Sequence, residues 1–296
     1  MTKYRYETKS DIVNDSTSMG RVADVPDAAL DARVLDWVTN ARGRLTPLAL
    51  KRRVREAHKS ISRSRIESSI KRLVEQKALV YTYQLGNSFL ELSFEKPVRV
   101  ADAIVLKPPA CNYDPLPGDI VVTIKAGAAF GTGCHPTTRL SLMGLEKVCT
   151  GHLIPARTEN CRVLDIGTGS GVLGIAALKM GLDQGIGLDI DPCARTEATE
   201  NVILNALSGQ MVISDQSLDS LEGRFFLITA NLRLPTLITY FDTMSALMEK
   251  KGCLVISGIK SNEIDSLKRV SDRHEMQACW EGEELGWGGL ALRRRA

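Results

Sequence analysis

The string Val163-Leu164-Asp165-Ile166-Gly167-Thr168-Gly169-Ser170-Gly171 ends an apolar run in an acid and follows it with three alternate glycines. Glycine lets a backbone pass close to a bound ligand, and a helix beginning there offers unpaired N–H groups. A dinucleotide site spaces its glycines Gly-x-Gly-x-x-Gly; here the spacing is Gly-x-Gly-x-Gly. An acid before the turn suits a ligand carrying a cationic amino group and would repel a pyrophosphate. Asp189, 22 residues after Gly167, closes a second apolar run. A carboxylate at that position can accept both hydroxyls of a ribose. Glycine turn and acid together point to a nucleoside cofactor, with Asp165, Gly167, Thr168, Gly169 and Asp189 as its contacts. Asp191 before Pro192 is read instead as a helix N-cap.

Other chemistries find little support. The seven cysteines (111, 134, 149, 161, 193, 253 and 279) are odd in number, and no Cys-x-x-Cys occurs. The four histidines are equally scattered, so no metal-ligand spacing is present and no metal is expected. Free thiols in a reducing cytoplasm are expected, several of them on buried strands such as the one around Cys253. No apolar run reaches the roughly 18 residues that span a bilayer, and the polar start, 1–21, lacks the apolar stretch of a signal peptide.

The elements that must carry these residues fall into two groups. Residues 1–27 are polar and read as a flexible arm. Over 28–96, Leu30, Val34, Leu35 and Val38 recur at helical spacing up to about Gly43; Thr46-Pro47 opens a second helix, and Ser62 a third with Ile66, Ile70, Leu73 and Val74 on one face. Two short strands, 79–83 and 88–92, follow around a Gly86-Asn87 turn. Three helices and a hairpin resemble a winged helix-turn-helix. From 97 onward strand and helix alternate, the pattern of a parallel sheet covered on both faces, and 276–293 closes as an antiparallel hairpin.

With that order in place, the chain resembles the class I S-adenosylmethionine-dependent methyltransferases, an α/β class built on a Rossmann-like seven-stranded sheet. Ala129-Phe130-Gly131-Thr132-Gly133-Cys134-His135-Pro136-Thr137-Thr138 is similar to the signature of the PrmA-type ribosomal protein methyltransferases, which modify the large-subunit stalk protein. Asp189-Ile190-Asp191-Pro192, Ala230-Asn231-Leu232, Ser257-Gly258-Ile259 and Glu284-x-x-Trp287 extend the resemblance over about 98–296. It implies S-adenosyl-L-methionine as cofactor and a lysine or α-amine of a protein as methyl acceptor. It also implies Thr138 beside the methionine portion, Gly167 under it, Asp189 on the ribose, and Asn231 near the transferring methyl group as the catalytic candidate. Phe130, Gly131 and Thr132 would be further cofactor contacts, and His135 is read as ordering their loop. Ala230-Asn231-Leu232-Arg233-Leu234-Pro235 lacks the Pro-Pro-aromatic string of enzymes that methylate base amines.

The amino-terminal third does not resemble that family. The net charge of +3 over 296 residues conceals twelve basic and three acidic residues between Arg42 and Lys77, a local +9 that leaves −6 elsewhere. A basic face beginning at Arg52, Arg53, Arg63 and Arg65 can meet RNA, DNA or protein. The resemblance makes protein methylation the leading reading. A nucleic-acid methyltransferase targeted by the winged helix, or a cofactor-responsive DNA-binding regulator, are the alternatives.

Overall fold

The computed structural model describes residues 25–39, 41, 45–84, 87–125, 127, 129–131, 133, 135–150 and 161–295. The amino-terminal unit contains α1 (Asp27–Thr39), α2 (Pro47–Ala57), α3 (Arg63–Glu75), β1 (Leu79–Gln84) and β2 (Asn87–Leu92). Thr46 and Ser62 cap α2 and α3, their hydroxyls accepting from the Ala49 and Arg65 amides at 3.1 and 3.3 Å. Leu30, Val34, Leu50, Val54, Ile66, Ile70, Leu73, Leu79 and Leu90 form one separate core. Leu45 bridges Leu90 antiparallel beside the hairpin.

Two expectations change here. Gln84 pairs with Asn87, so Asn87 belongs to the strand rather than to the turn. Antiparallel pairing closed by two residues fixes that register, and the connecting residues 85–86, like 1–24 of the expected arm, lie outside the described residues. Helix α1 ends at Thr39, before the expected limit near Gly43.

A small sheet follows, with β3 (Val98–Arg99), β4 (Ile104–Lys107) and β5 (Ile120–Thr123), then α4 (Pro136–Thr150). The remaining elements are β6 (Arg162–Ile166), α5 (Val172–Lys179), β7 (Gln184–Leu188), α6 (Pro192–Leu204), β8 (Met211–Ser214), β9 (Phe225–Asn231), α7 (Leu234–Leu247), β10 (Met248–Lys260), α8 (Ile264–Arg273), β11 (Met276–Glu284) and β12 (Trp287–Arg294). The large sheet has seven strands in the order β11-β12-β10-β9-β6-β7-β8. β12 runs antiparallel to both its neighbours, and the other pairings are parallel. This is the α/β, Rossmann-like seven-stranded arrangement that the resemblance implies, and a parallel sheet covered on both faces is what the strand and helix alternation leads one to expect.

Strand alternation divides the core. Val163, Leu227 and Val255 point to the face covered by α4, α5 and the small sheet. Leu164, Ile228, Leu254 and Ile256 point to the face covered by α7 and α8. Central strands apolar on both faces are what a doubly covered parallel sheet requires. Each such side chain, fully buried, contributes about 1.5–3 kcal/mol relative to exposure. Among the described residues no helix is long and apolar enough to cross a membrane.

The basic stretch is less free than its charge count suggests. Acids outside the 42–77 window fold back onto it: Asp31 accepts a fork from Arg72 at 3.0 and 2.7 Å, Asp27 pairs with Arg65 at 3.0 Å, and Glu95 pairs with Lys77 at 2.6 Å. Arg65 also donates to the Val25 carbonyl. Glu67 takes Lys51 at 2.6 Å and Arg63 at 3.4 Å, while Arg52 sits 3.8 Å from Glu56. Of the four cations expected to reach a nucleic acid, Arg65 is thus committed to holding α1 on α3, and Arg52 and Arg63 have acidic neighbours one helical turn away.

Candidate active site

The carboxyl ends of β6, β7 and β9 bring Gly167, Asp189 and Asn231 to one edge of the sheet, because adjacent parallel strands end side by side. Gly167 is exposed at φ +66°, a conformation that L side chains rarely adopt, and a Cβ there would strike Leu232 Cδ2 at 2.7 Å. Gly169 is buried at φ +55°, where a Cβ would collide with the Phe130 carbonyl oxygen. The turn is a backbone surface that a side chain would fill.

Asp165 holds that turn from below and does not reach a ligand. It is 1% exposed. Its oxygens accept from Thr168 Oγ1 at 2.6 Å, Thr229 Oγ1 at 2.6 Å and the Gly174 amide at 3.1 Å. Burial pushes its carboxyl above the ordinary range, and the three hydrogen bonds only partly offset this. The expected ionic contact between Asp165 and a cationic amino group is therefore replaced by a clip joining β6, β9 and α5. Thr168 changes in the same way: it is 4% exposed, its hydroxyl serves Asp165, and its amide donates to Leu188 O at 2.8 Å.

Asp189 remains at the edge, partly exposed, with Oδ2 accepting from the Gly169 amide at 2.9 Å and Oδ1 from the Asp191 amide at 3.0 Å. Each oxygen keeps a further lone pair for a diol. Asn231 Oδ1 and Thr138 Oγ1 are buried with no hydrogen-bond partner. Thr138 lies in the first turn of α4, which packs on β9 and β10. A buried acceptor without a donor carries the full cost of desolvation.

Phe130 and Gly131 cover the turn. The Phe130 and Gly131 carbonyls accept from the Ser170 amide at 2.8 Å and the Ser170 hydroxyl at 2.9 Å, and the Phe130 side chain stays 51% exposed. Thr132 lies outside the described residues. His135 orders this segment: its Nδ1 lies 3.3 Å from the donating Thr137 amide, and its ring packs 5.1 Å from Phe130 and 4.8 Å from Trp287. Lys260 Nζ stands 3.4 Å from the Trp287 ring centroid.

Several supporting residues escape the motif search. Glu197 and Asn201 on α6, with Asn205 at its C-cap, form a stripe at four-residue spacing. Glu197 accepts from the Ala129 amide at 3.0 Å, Asn201 donates to Ser170 O at 2.9 Å and accepts from the Lys125 amide at 2.9 Å, and Asn205 bonds both backbone groups of Thr123. The stripe guides the chain from β5 to the glycine turn, and its spacing on one helix face was the available signal. Buried Arg139 likewise joins Glu284 at 2.5 Å and the Gly133 carbonyl at 3.0 Å, fixing the loop's far end.

Burial raises the Cys149 and Cys253 thiols to about 12, so they stay protonated.

The profile of the family described as Ribosomal protein L11 methyltransferase (PrmA) matches residues 92–295. A ribosomal protein L11 methyltransferase of Citrifermentans bemidjiense is 37% identical over 202 residues, 67% of this chain and 64% of that protein. One from Geobacter sulfurreducens is 41% identical over 163 residues, 55% of this chain and 51% of its own length. The chain thus spans less than two thirds of these relatives. The crystal structure of a ribosomal protein L11 methylase from Lactobacillus delbrueckii subsp. bulgaricus superposes with a TM-score of 0.59 at 27% identity, covering 68% of this chain and all of that one. The amino-terminal unit precedes the matched range, and from residue 92 onward the chain belongs to the ribosomal protein L11 methyltransferase (PrmA) family.

Proposed function

We propose that this chain transfers a methyl group from S-adenosyl-L-methionine to an amine nitrogen of a protein, and that the protein is ribosomal, as the relatives' names indicate. The observation that carries this reading is the unpartnered Asn231 Oδ1, buried at the end of β9 beside the glycine turn. The residues fit the cofactor: a side-chain-free turn at Gly167 and Gly169, a carboxylate at Asp189 with lone pairs to spare, and an orphaned Thr138 hydroxyl. When bound, S-adenosylmethionine supplies a methyl carbon on a sulfonium, already activated for displacement. Asn231 accepts a hydrogen from the acceptor amine and so aims its lone pair, which is positioning in the sense that makes an in-line transfer fast. Phe130 and Gly131, held by Ser170, pack their backbone against the turn. Asp165 and Thr168 position the turn from within.

The amino-terminal unit, up to about residue 96, is read as a winged helix-like module that grips a protein. Its support is the ion pairing that already engages Arg65, Arg72 and Lys77 internally; a surface built for phosphates would leave such cations outward. A cytoplasmic setting is part of the same reading. Incubation with methyl-labelled cofactor and ribosomal proteins tests it: label in a protease-sensitive band supports the reading, and nuclease-sensitive label contradicts it.

A further inference from the structure

Asp189 leaves the sheet where its ladder runs out. Leu188 pairs with Ser214, the last residue of β8, and the Asp189 amide donates to Ser214 O at 3.2 Å. The carbonyls of Asp189 and Ile190, one step further on, take a side-chain donor: Arg195 Nη1 reaches both at 3.0 Å. Arg195 Nη2 stands 3.3 Å from Oδ2 of Asp215, the residue that follows β8. One guanidinium thus joins the end of β7 to the end of β8.

Helix stability and surface charge do not account for an arginine here. Arg195 is the fourth residue of α6, close to the helix N-terminus, where the macrodipole favours acids over cations. Asp215 is 71% exposed, so the ion pair with it adds little. The bonds to the two carbonyls are charge-assisted, and they hold the backbone of the strand-end acid. Asp189 is then fixed on every side: its amide by Ser214, its carbonyl by Arg195, Oδ2 by the Gly169 amide and Oδ1 by the Asp191 amide. The same bonds keep the Ile190 side chain 94% exposed. A freed backbone would let Ile190 turn inward, because burying its side chain is favourable.

We propose that Arg195 is a positioning residue for the nucleoside half of the cofactor. By holding the Asp189–Ile190 backbone, it aims the remaining lone pairs of the Asp189 carboxylate at the ribose. The inference rests on the reading of Asp189 as the ribose acceptor. Arg195 acts through Asp189, so its contribution exists only while that carboxylate is present.

Calorimetry with S-adenosylhomocysteine and the full chain provides the test, as a double-substitution cycle. Arg195→Met keeps an unbranched, helix-favouring side chain and removes the donors; it weakens binding about tenfold. Arg195→Lys still offers one nitrogen to two carbonyls, and binding recovers to within about threefold of the unsubstituted chain. In an Asp189→Ala background, adding Arg195→Met costs less than about twofold, because no carboxylate is left to aim. An arginine that only stabilised the fold would cost the same factor in both backgrounds. Equal losses in both backgrounds overturn the positioning role. So does an unchanged affinity in Arg195→Met where Asp189→Ala binds weakly, and that result leaves the ribose reading standing. Unchanged affinity in Asp189→Ala removes the ribose reading, and the role of Arg195 falls with it.

Discussion

The Gly169 amide donates to Asp189 Oδ2 at 2.9 Å, so the acid that ends β7 also holds the turn that follows β6. Two parallel strands are tied at the edge where they stop, and the same carboxylate is the one proposed to meet the cofactor. Replacing Asp189 by Ala removes the proposed ribose acceptor and loosens the turn. Cofactor affinity is expected to fall about 10- to 100-fold, or roughly 1.5–3 kcal/mol, by calorimetry. Unchanged affinity would place the site elsewhere.

The proposed role of Asn231 is on the acceptor more than on the cofactor. Asn231→Ala is expected to lower kcat about 100-fold while weakening cofactor binding less than Asp189→Ala does. Single-turnover kinetics separate the two effects, and a loss confined to cofactor affinity would contradict the assignment.

The glycine turn was legible because its chemistry is local: three alternate glycines and Asp165 lie within nine residues. The role of Asp165 was not. A strand-end acid looks the same in sequence whether it faces solvent or points into the sheet, and only Thr229, 64 residues away, shows which. α4 carries no clear helical period in the sequence because it is buried nearly all round, with eleven of fifteen residues inside. α8 does carry a period, with Ile264, Leu267 and Ser271 inward. The charge count failed for a different reason. A window over 42–77 cannot include Asp27, Asp31 and Glu95, which tertiary contact returns to it.

Asp165 also gives a pH dependence with a definite sign. Burial raises its native pKa, so the folded chain holds the proton to higher pH than the unfolded chain does. The associated stability is present below the ordinary carboxylate pKa of about 3.9 and is lost as pH rises through the native value. Asp165→Asn removes that slope. Urea midpoints measured from about pH 4 to 8 should show the unsubstituted chain losing ground to the variant as pH rises; parallel curves would show that Asp165 ionises as freely in the fold as outside it.

Asp31 is the acceptor for both the Ser69 hydroxyl, at 2.5 Å, and the Arg72 fork. Asp31→Ala leaves those donors without it and is expected to speed amide exchange in α1. Amides of β6 and β9, in a separate core, should be unaffected. Equal acceleration in both units would show that they unfold together.

Methyl transfer to a ribosomal protein is the central claim, and one measurement addresses it most directly. The full chain is incubated with methyl-labelled S-adenosylmethionine and ribosomal large subunits, in parallel with Asn231→Ala, and the label is followed by mass spectrometry of the separated proteins. The account predicts N-methylation at a lysine or α-amine of the stalk protein, lost in Asn231→Ala. Cofactor binding of normal affinity with no protein methylated, or label found only in RNA, would contradict it.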